Sequence, residues 1–309
     1  MIRACDISKR FGDTRAVDDL SFEVKRGEIF GVVGPDGAGK STLLRMIAGI
    51  LPPDSGSIQV DGVDVVSDPF AIKENLAYMP QRFGLYEDLT VEENIHFFGR
   101  VFGVSRAEIR KREKGLYEFS RLAPFRNRLA GKLSGGMKQK LGLACCLVHR
   151  PGLILLDEPT NGVDPVSRRE FWKILYGLLS EGVTIVVSTA YLDEAERCNR
   201  VALMYEGSFV TIGRPGEIRN STGKSLIEIT ADKVWEAETV LRKTPEFSRV
   251  IREGTALRVF VERRGEGERR VRALLRGQGI VVCAVRETSP TLENSFVEII
   301  SEGGKNEGA

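Results

Sequence analysis

A glycine-rich stretch at residues 34–41 carries the most specific chemical signal in the sequence. It reads Gly-Pro-Asp-Gly-Ala-Gly-Lys-Ser and fits the pattern G-x-x-x-x-G-K-[ST], in which backbone N–H groups surround a polyphosphate. The apolar run 29–33 before it is typical of a buried strand, and Leu43, Leu44 and Ile47 after it have helical spacing. This order of strand, loop and helix favours a phosphate site over a glycine turn without a ligand.

Two side chains at the end of this stretch suit a magnesium-bound nucleotide. Lys40 is expected to reach the β- and γ-phosphates, and Ser41 is expected to hold the magnesium ion. The N-terminus of the helix that follows adds partial positive charge at the same place. The sequence therefore predicts that this loop binds a nucleoside triphosphate together with magnesium.

Two adjacent carboxylates follow a second buried strand. The run 153–156 is Leu-Ile-Leu-Leu, and Asp157 and Glu158 come directly after it. Negative charges are costly at the end of a buried strand unless a cation lies nearby. Asp157 is therefore expected to complete the magnesium shell, and Glu158 is expected to polarise a water molecule for attack on the γ-phosphate. An acidic surface turn is the less favoured alternative.

A serine followed by two glycines opens a later helix. Residues 133–137 read Leu-Ser-Gly-Gly-Met, and the simplest interpretation is an N-cap serine with flexible glycines. The exposed amides and hydroxyl would also form a second anion site, although the first loop already holds the phosphates. Two chains arranged head to tail satisfy both observations, because the Ser134 site of each chain then closes over the γ-phosphate bound to the other.

The segments around these motifs predict an α/β domain over residues 1–220. Short apolar runs alternate there with helical patterns, and residues 57–65 carry an antiparallel hairpin signal. Capping boxes that begin at Thr90 and Ser105 open consecutive helices. The domain is therefore predicted to contain an antiparallel β subdomain and a helical insertion at about 83–150.

The pattern changes after Gly213 and predicts a second, smaller domain over residues 221–302. Its elements follow the order β-α-β-β-α-β, which is a ferredoxin-like α+β plan. Residues 303–309 are glycine-rich and polar and are predicted to be disordered. The predicted strands of this domain cover 225–230, 247–252, 255–262 and 279–286, and its helices cover 232–243 and 266–277.

The composition excludes several classes of protein. The 309 residues include 45 basic and 43 acidic side chains, a net charge of +2, which argues against a nucleic-acid partner. No apolar run reaches the ~18 residues that a bilayer crossing needs, and charged residues near the N-terminus leave no room for a secretory signal. The five cysteines form no C-x-x-C pair, which favours a reducing compartment. A cytosolic chain is expected.

In the order of its motifs, the chain up to about residue 220 resembles the ATP-binding subunits of ABC transporters, which are P-loop ATPases. The resemblance implies that ATP closes a homodimer and that hydrolysis reopens it. It identifies the stretch 161–164 as the D-loop of that family. It also implies three groups of site residues: the catalytic residues Glu158, Gln81 and Lys40; the magnesium ligands Ser41, Gln81 and Asp157; and the nucleotide-binding residues Phe11, which would stack on adenine, Gly34, Pro35, Asp36, Gly37, Ala38, Gly39, Lys40, Ser41, Thr42, Ser134, Gly135 and Gly136.

The C-terminal part is similar to that of drug-resistance exporters of the daunorubicin type. The similarity lies in the stretch 289–297, Ser-Pro-Thr-Leu-Glu-Asn-Ser-Phe-Val, and in the stretch 188–196. It implies ATP-driven multidrug export through a membrane permease and a peripheral position on the cytoplasmic face of the membrane. In this family the helical insertion carries the permease groove. The apolar residues that match the groove in position, and that could equally form internal core, are Phe83, Leu85, Tyr86, Leu89 and Phe97.

Two residues depart from the family pattern. Asp36 stands where the phosphate loop usually has asparagine, and Ala190 stands where a histidine usually contacts the γ-phosphate and helps to align the attacking water. His96 and His149 lie elsewhere and cannot replace that histidine by position. Ala190 therefore leaves a non-hydrolysing, ATP-dependent clamp or regulator as an alternative function. A soluble ABC ATPase is a further alternative, although such proteins usually join two cassettes or carry long coiled coils.

Overall fold

The chain forms two units in a computed structural model that describes residues 1–221, 223–247 and 250–306. The units are Met1–Arg214 and Pro215–Ala309. The strands of the first unit, numbered along the chain, are β1 Ile2–Phe11, β2 Thr14–Val24, β3 Ile29–Val33, β4 Ser55–Val60, β5 Val63–Asp64, β6 Leu76–Met79, β7 Leu153–Asp157, β8 Thr184–Thr189, β9 Arg200–Tyr205 and β10 Ser208–Gly213.

These strands make two sheets. A four-stranded antiparallel sheet has the order β2-β1-β4-β5, and a six-stranded sheet has the order β10-β9-β3-β8-β7-β6. Within the larger sheet, β9, β3, β8, β7 and β6 run parallel and β10 is antiparallel to β9. The hairpin predicted at 57–65 is confirmed by the pairing of β4 with β5, and its turn residues Asp61 and Gly62 both have positive φ.

The strand order explains how distant motifs can meet. The carboxyl ends of parallel strands lie at one edge of a sheet, where open α/β folds bind their ligands. The loop at 34–39 follows β3, Thr189 ends β8, Asp157 ends β7 and Gln81 comes shortly after β6. Since β3, β8, β7 and β6 are neighbours in the sheet, all four segments end at the same edge.

Six helices accompany these strands in the first unit. Three of them form the insertion predicted at about 83–150, and they enclose an apolar core of their own that includes Ile95, Ile109 and Leu141. Thr90 forms the full reciprocal capping box with Glu93. The helices are α1 Lys40–Ile47, α2 Val91–Val101, α3 Arg106–Ser120, α4 Gly135–Leu147, α5 Pro165–Ser180 and α6 Leu192–Ala195.

The predicted capping box at Ser105 forms only in part. Ser105 Oγ accepts a hydrogen bond from the backbone N–H of Glu108, as predicted. The Glu108 carboxylate, however, accepts from Arg112 Nε at 2.8 Å. A full charge one turn along the helix competes well with a neutral backbone amide, which explains the difference.

The main core of the first unit joins α1 to both sheets. Ile7 of β1, Phe30 of β3 and Leu43 and Leu44 of α1 belong to one buried cluster. Burial of such side chains stabilises each by about 1.5–3 kcal/mol relative to exposure. The helix that begins at Lys40 is therefore held firmly behind the loop that precedes it.

The second unit is a four-stranded antiparallel sheet with the order β12-β13-β11-β14. One apolar core joins the sheet to two helices and includes Ile227 and Ile229 from the sheet and Leu241 and Leu275 from the helices. The elements are α7 Pro215–Arg219, β11 Ser225–Ala231, α8 Val234–Arg242, β12 Val250–Glu253, β13 Ala256–Val261, α9 Arg264–Gly277, β14 Val282–Thr288 and α10 Leu292–Asn306.

Two predicted boundaries differ from the structure. The chain divides after Arg214 rather than at residue 220, because α7 packs against α10 and Ser295 Oγ donates to the carbonyl oxygen of Arg219. The tail predicted to be disordered over 303–309 is helical as far as Asn306, because helical hydrogen bonding continues through glycines at a cost of only about 1 kcal/mol each. Residues 307–309 lie outside the described residues.

Within the described residues, no helix combines the length and the apolar character that crossing a membrane takes.

Candidate active site

The loop at 34–39 has a backbone path that its glycines make possible. Gly37 and Gly39 have φ of 82° and 105°, a region that side chains other than glycine rarely occupy. A Cβ atom on Gly34 would lie 2.1 Å from the Met204 carbonyl oxygen, and one on Gly39 would lie 2.0 Å from the Ala16 carbonyl oxygen. The loop therefore packs directly against the backbone at Met204 and Ala16, with no room for a side chain at Gly34 or Gly39. Pro35, Asp36 and Gly37 remain exposed at its tip.

The side chain of Lys40 lies folded inside this loop. It is only 4% exposed, and its ammonium donates to the carbonyl oxygens of Gly34 and Pro35, both at 2.9 Å. The same nitrogen lies 3.1 Å from Glu158 Oε1. Lys40 therefore places a positive charge between the phosphate loop and the carboxylate predicted to act on water.

Asp157 lies at the centre of a group of hydroxyls. Ser41 Oγ donates to Asp157 Oδ1 at 2.9 Å, and Ser188 Oγ donates to the same oxygen at 2.7 Å. The other carboxylate oxygen, Oδ2, accepts from the Tyr78 hydroxyl at 3.2 Å. These three donors come from α1, β8 and β6, so the carboxylate at the end of β7 is fixed by three different elements.

Tyr78 is a site residue that the motifs did not identify. It lies in β6, beside the strand that carries Asp157. Burial raises the pKa of the Tyr78 hydroxyl, a bond from Arg45 lowers it in part, and the charge of Asp157 raises it further. The hydroxyl is therefore a stable proton donor near neutral pH. The sequence does show a tyrosine near the end of the strand that precedes Gln81. Its contact with Asp157 can be predicted only once β6 and β7 are known to pair.

Glu158 is held by four side chains and has an unusual backbone conformation. Its φ is 46°, and its N–H donates to Ser188 Oγ at 2.9 Å. Its Oε2 accepts from Gln81 Nε2 at 2.9 Å and from Asn161 Nδ2 at 3.1 Å. Together with Lys40 on Oε1, these donors fix both carboxylate oxygens.

The structure thus joins all five predicted catalytic and magnesium residues in one connected network, in which Ser188 links Asp157 to Glu158. Gln81 enters it through a bond from its amide nitrogen to Glu158. The other members are Lys40, Ser41, Asp157 and Glu158.

The donor set around Asp157 suits magnesium. Mg²⁺ prefers hard oxygen ligands and usually keeps several waters, with one or two carboxylates and the phosphates of a substrate. Ser41 and Asp157 supply a hydroxyl and a carboxylate oxygen, and Gln81, which contacts Glu158 through its amide nitrogen, carries an amide oxygen of the same hard type. Ser41 Oγ and Asp157 Oδ1 already lie 2.9 Å apart, so the residues present fit the ion.

Ser134, Gly135 and Gly136 lie outside this network, at the start of α4. Ser134 Oγ accepts from the backbone N–H of Met137, as an N-cap residue does. A Cβ on Gly136 would lie 2.5 Å from the Cβ of Ser167, so this glycine lets α4 approach α5. Ser134 and Gly135 are exposed and remain accessible to another molecule.

Phe11 and the residues predicted for a permease groove differ in exposure. Phe11 ends β1 and is 52% exposed, which leaves its ring free to stack. Phe83 and Leu85 pack partly against the core of the helical insertion. Tyr86 and Phe97 are exposed, and their ring centroids lie 4.4 Å apart. Of these four predicted groove residues, Phe83 and Leu85 therefore pack against the core, and Tyr86 and Phe97 lie at the surface.

Ala190 directly follows β8 and is exposed. Thr189 before it donates from Oγ1 to Glu194, and the same oxygen accepts from the backbone N–H of Tyr191. A methyl group at position 190 can neither donate to a phosphate nor orient a water molecule. The backbone on both sides of Ala190 is nevertheless held by hydrogen bonds, at Thr189 and at Tyr191.

A phosphate loop after one central strand and an acidic pair at the end of a nearby parallel strand define a P-loop nucleotide-binding protein. The model of the ABC transporter family matches residues 17–161. The Nod factor export ATP-binding protein I of Rhizobium sp. (strain N33) is 37% identical over 95% of this chain and 94% of its own. The chain belongs to the family of ABC transporter ATP-binding proteins.

A second relative is described as a probable multidrug ABC transporter ATP-binding protein, YbhF of Escherichia coli (strain K12). It is 41% identical over 97% of this chain but over 52% of its own length, so the chain spans about half of that relative.

Solved structures agree with this family. An ATP-binding subunit of an ABC transporter has a TM-score of 0.65 and 31% identity, over 72% of this chain and 93% of its own. A dimeric ATP-binding cassette in a post-hydrolysis state with ADP and Pi has a TM-score of 0.63 and 26% identity, over 69% and 98%. The predicted ATPase cassette fold is confirmed.

Proposed function

We propose that this chain is the ATP-binding and ATP-hydrolysing subunit of an ABC-type exporter. The observation that carries the proposal is the single network in which the phosphate-loop lysine, the magnesium-site hydroxyl, the acidic pair and Gln81 meet. A site built only to bind nucleotide needs no carboxylate at Glu158, whereas water attack on a γ-phosphate needs a group that orients the nucleophile.

The roles of the residues follow from their contacts. Lys40 turns from Glu158 to the β- and γ-phosphates when ATP enters, which frees Glu158 Oε1 to accept a hydrogen bond from water. Gln81 keeps Glu158 in place through Oε2. When bound by Ser41, Asp157 and Gln81, magnesium would supply charge neutralisation at the phosphate oxygens. Ser188 and Tyr78 hold Asp157 in the orientation that this binding requires.

The exposed start of α4 supports a paired arrangement. Ser134 and Gly135 lie outside the network of Lys40 and Glu158, and they are accessible. We propose that they close over the γ-phosphate held by a second nucleotide-binding subunit, most simply a second copy of this chain. A dimeric cassette among the related structures supports this arrangement.

We propose a membrane permease as the partner, which places the chain at the cytoplasmic face of the membrane. Two related proteins are described as a Nod factor export protein and a probable multidrug transporter protein. Tyr86 and Phe97 form an exposed aromatic pair on the helical insertion, and exposed apolar patches of this kind are typical of protein contacts.

The proposal is tested by steady-state phosphate release from magnesium-ATP, measured with light scattering on the same samples. An exporter ATPase is expected to release phosphate and to form dimers when nucleotide is present. A non-hydrolysing clamp, the alternative favoured by Ala190 alone, would form dimers without phosphate release. Loss of both responses would contradict nucleotide-driven closure.

We also propose that the second unit is a ferredoxin-like accessory domain, as its order β12-β13-β11-β14 suggests. All residues of the nucleotide network lie before Arg214. A protein that ends at Arg214 is therefore expected to bind ATP with unchanged affinity in calorimetry. It is expected to form the ATP-dependent dimer less readily. Loss of ATP binding in the folded, shortened protein would show that the second unit supports the site.

Replacing Ala190 with histidine is expected to raise the turnover number about tenfold to a hundredfold, because a donor there can align the attacking water. The matched control is Ala190→Leu, which adds bulk without a polar group and is expected to give no gain. Phosphate release by the three proteins in one assay measures the effect. No gain from Ala190→His would mean that another group already positions the water.

A further inference from the structure

Glu194 is a fully buried carboxylate that the proposed reaction does not use. It lies in α6 and is 0% exposed. A charge removed from water is unfavourable unless ionic or hydrogen-bonding partners replace the water. Glu194 has both kinds of partner, and they come from three different segments of the first unit.

Each carboxylate oxygen of Glu194 binds a different threonine. Oε1 accepts from Thr160 Oγ1 at 2.6 Å, and Oε2 accepts from Thr189 Oγ1 at 2.9 Å. Arg168 Nε, from the first turn of α5, lies 3.4 Å from Oε1, and Asp193 approaches the same guanidinium at 3.9 Å. One carboxylate therefore joins the segment after β7, the end of β8 and the start of α5.

The first of these connections leads to Glu158. Thr160 is followed by Asn161, whose backbone N–H donates to the Glu158 carbonyl oxygen at 3.1 Å. The Asn161 side chain donates to Glu158 Oε2, also at 3.1 Å. A displacement of Thr160 would therefore move the group that holds the proposed base.

The second connection leads to position 190. The Thr189 hydroxyl donates to Glu194 and accepts from the backbone N–H of Tyr191 at 3.0 Å. Thr189 and Tyr191, the neighbours of Ala190 on either side, are therefore joined by a hydrogen bond. The Arg168 guanidinium also lies 4.2 Å from the centroid of the Tyr191 ring. The backbone at position 190 is thus fixed by groups that Glu194 orients.

We infer that Glu194 is a positioning residue that aligns Glu158 and the segment at Ala190 for attack on the γ-phosphate. The inference rests on the proposed function. Because position 190 offers only a methyl group, alignment of the attacking water in this chain depends on Glu158 and on the backbone around Ala190. Glu194 is hydrogen-bonded to Thr160, in the segment that holds Glu158, and to Thr189, which precedes Ala190. These two segments can tolerate little displacement, since a shift of about 1 Å in a group that positions the reactants can lower the rate about 10²-fold.

The test is the variant Glu194→Gln, which keeps the size of the side chain and removes its charge. We expect kcat to fall about tenfold to a hundredfold, with the KM for ATP and the affinity for magnesium-ATP unchanged. The matched control is Glu181→Gln, since Glu181 is exposed at the end of α5. Its activity is expected to equal that of the unmodified chain.

Variants of Thr189 give a second, independent measurement. Thr189→Val removes the hydroxyl that binds Glu194 and is expected to lower kcat as Glu194→Gln does, whereas Thr189→Ser keeps the hydroxyl and is expected to restore it. The double variant Glu194→Gln with Thr189→Val is expected to lose no more than Glu194→Gln alone, because the contact that Thr189→Val removes is one of those that Glu194→Gln already weakens. If Glu194→Gln does not fold, the comparison of kcat between Thr189→Val and Thr189→Ser tests the inference instead.

Two results for kcat would overturn the inference while leaving the proposed function intact: an unchanged kcat in Glu194→Gln, or equal losses of kcat in Thr189→Ser and Thr189→Val. A parallel loss of ATP affinity and of thermal stability would also overturn it, since it would assign Glu194 a purely structural role. Absence of phosphate release from the unmodified chain would instead overturn the proposed function, and the inference with it.

Discussion

Replacing Glu158 with glutamine is expected to lower steady-state phosphate release about 10²–10⁴-fold, because a neutral amide cannot act as the general base. ATP binding is expected to persist, since Lys40 and the phosphate loop are unaltered. The change also removes the ionic contact of 3.1 Å between Glu158 and Lys40. The lysine is then freer to engage phosphate, so the ATP-bound dimer is expected to accumulate.

The measurement combines phosphate release with light scattering at saturating magnesium-ATP. Glu74→Gln is the matched control, because Glu74 is exposed and lies away from the network. Phosphate release from Glu158→Gln equal to that of the unmodified chain would contradict the assignment of the base and would favour the non-hydrolysing clamp. A Glu158→Gln protein that remains monomeric at saturating ATP would contradict closure between two copies of this chain alone.

Replacing Lys40 with alanine is expected to weaken ATP binding about a hundredfold or more. Contacts between an ammonium and two phosphate groups are charge-assisted, and no neutral side chain replaces them. The variant also leaves the carbonyl oxygens of Gly34 and Pro35 without the donor that they share. Calorimetric titration with magnesium-ATP measures the loss.

Lys114→Ala is the control for this variant, since Lys114 is exposed on α3. A thermal melt of both proteins separates lost binding from lost folding. Glu158 keeps its bonds from Gln81 and Asn161 in the Lys40 variant, so the fold is expected to survive. Undiminished ATP binding by folded Lys40→Ala would remove the assignment of the phosphate loop.

The site residues that could be predicted are those whose signal lies in neighbours along the chain. The phosphate loop, the acidic pair and the capping box at Thr90 are all of this kind. Tyr78 and Glu194 are not, because their partners depend on which strands pair. Tyr78 reaches Asp157 only because β6 lies parallel to β7, with Tyr78 opposite Leu155.

The fold shows the same division. The hairpin at 57–65 and the helices of the insertion follow from local patterns. The change of pattern after Gly213 lies close to the division after Arg214, but the assignment of α7 to the second unit depends on its packing against α10, near the end of the described chain. No local pattern at residue 215 records that contact.

The left-handed backbone at Glu158 has a consequence for engineering this protein. A residue other than glycine at φ 46° carries an energetic cost of about 1–2 kcal/mol. Bonds from its N–H to Ser188 hold the residue in that conformation. Glycine would relieve that cost, but it would also leave the buried ammonium of Lys40 without its carboxylate partner, which costs about 3–5 kcal/mol. Selection of variants for heat resistance is therefore expected to retain the carboxylate at position 158, so that the group proposed to activate water also contributes to the melting temperature.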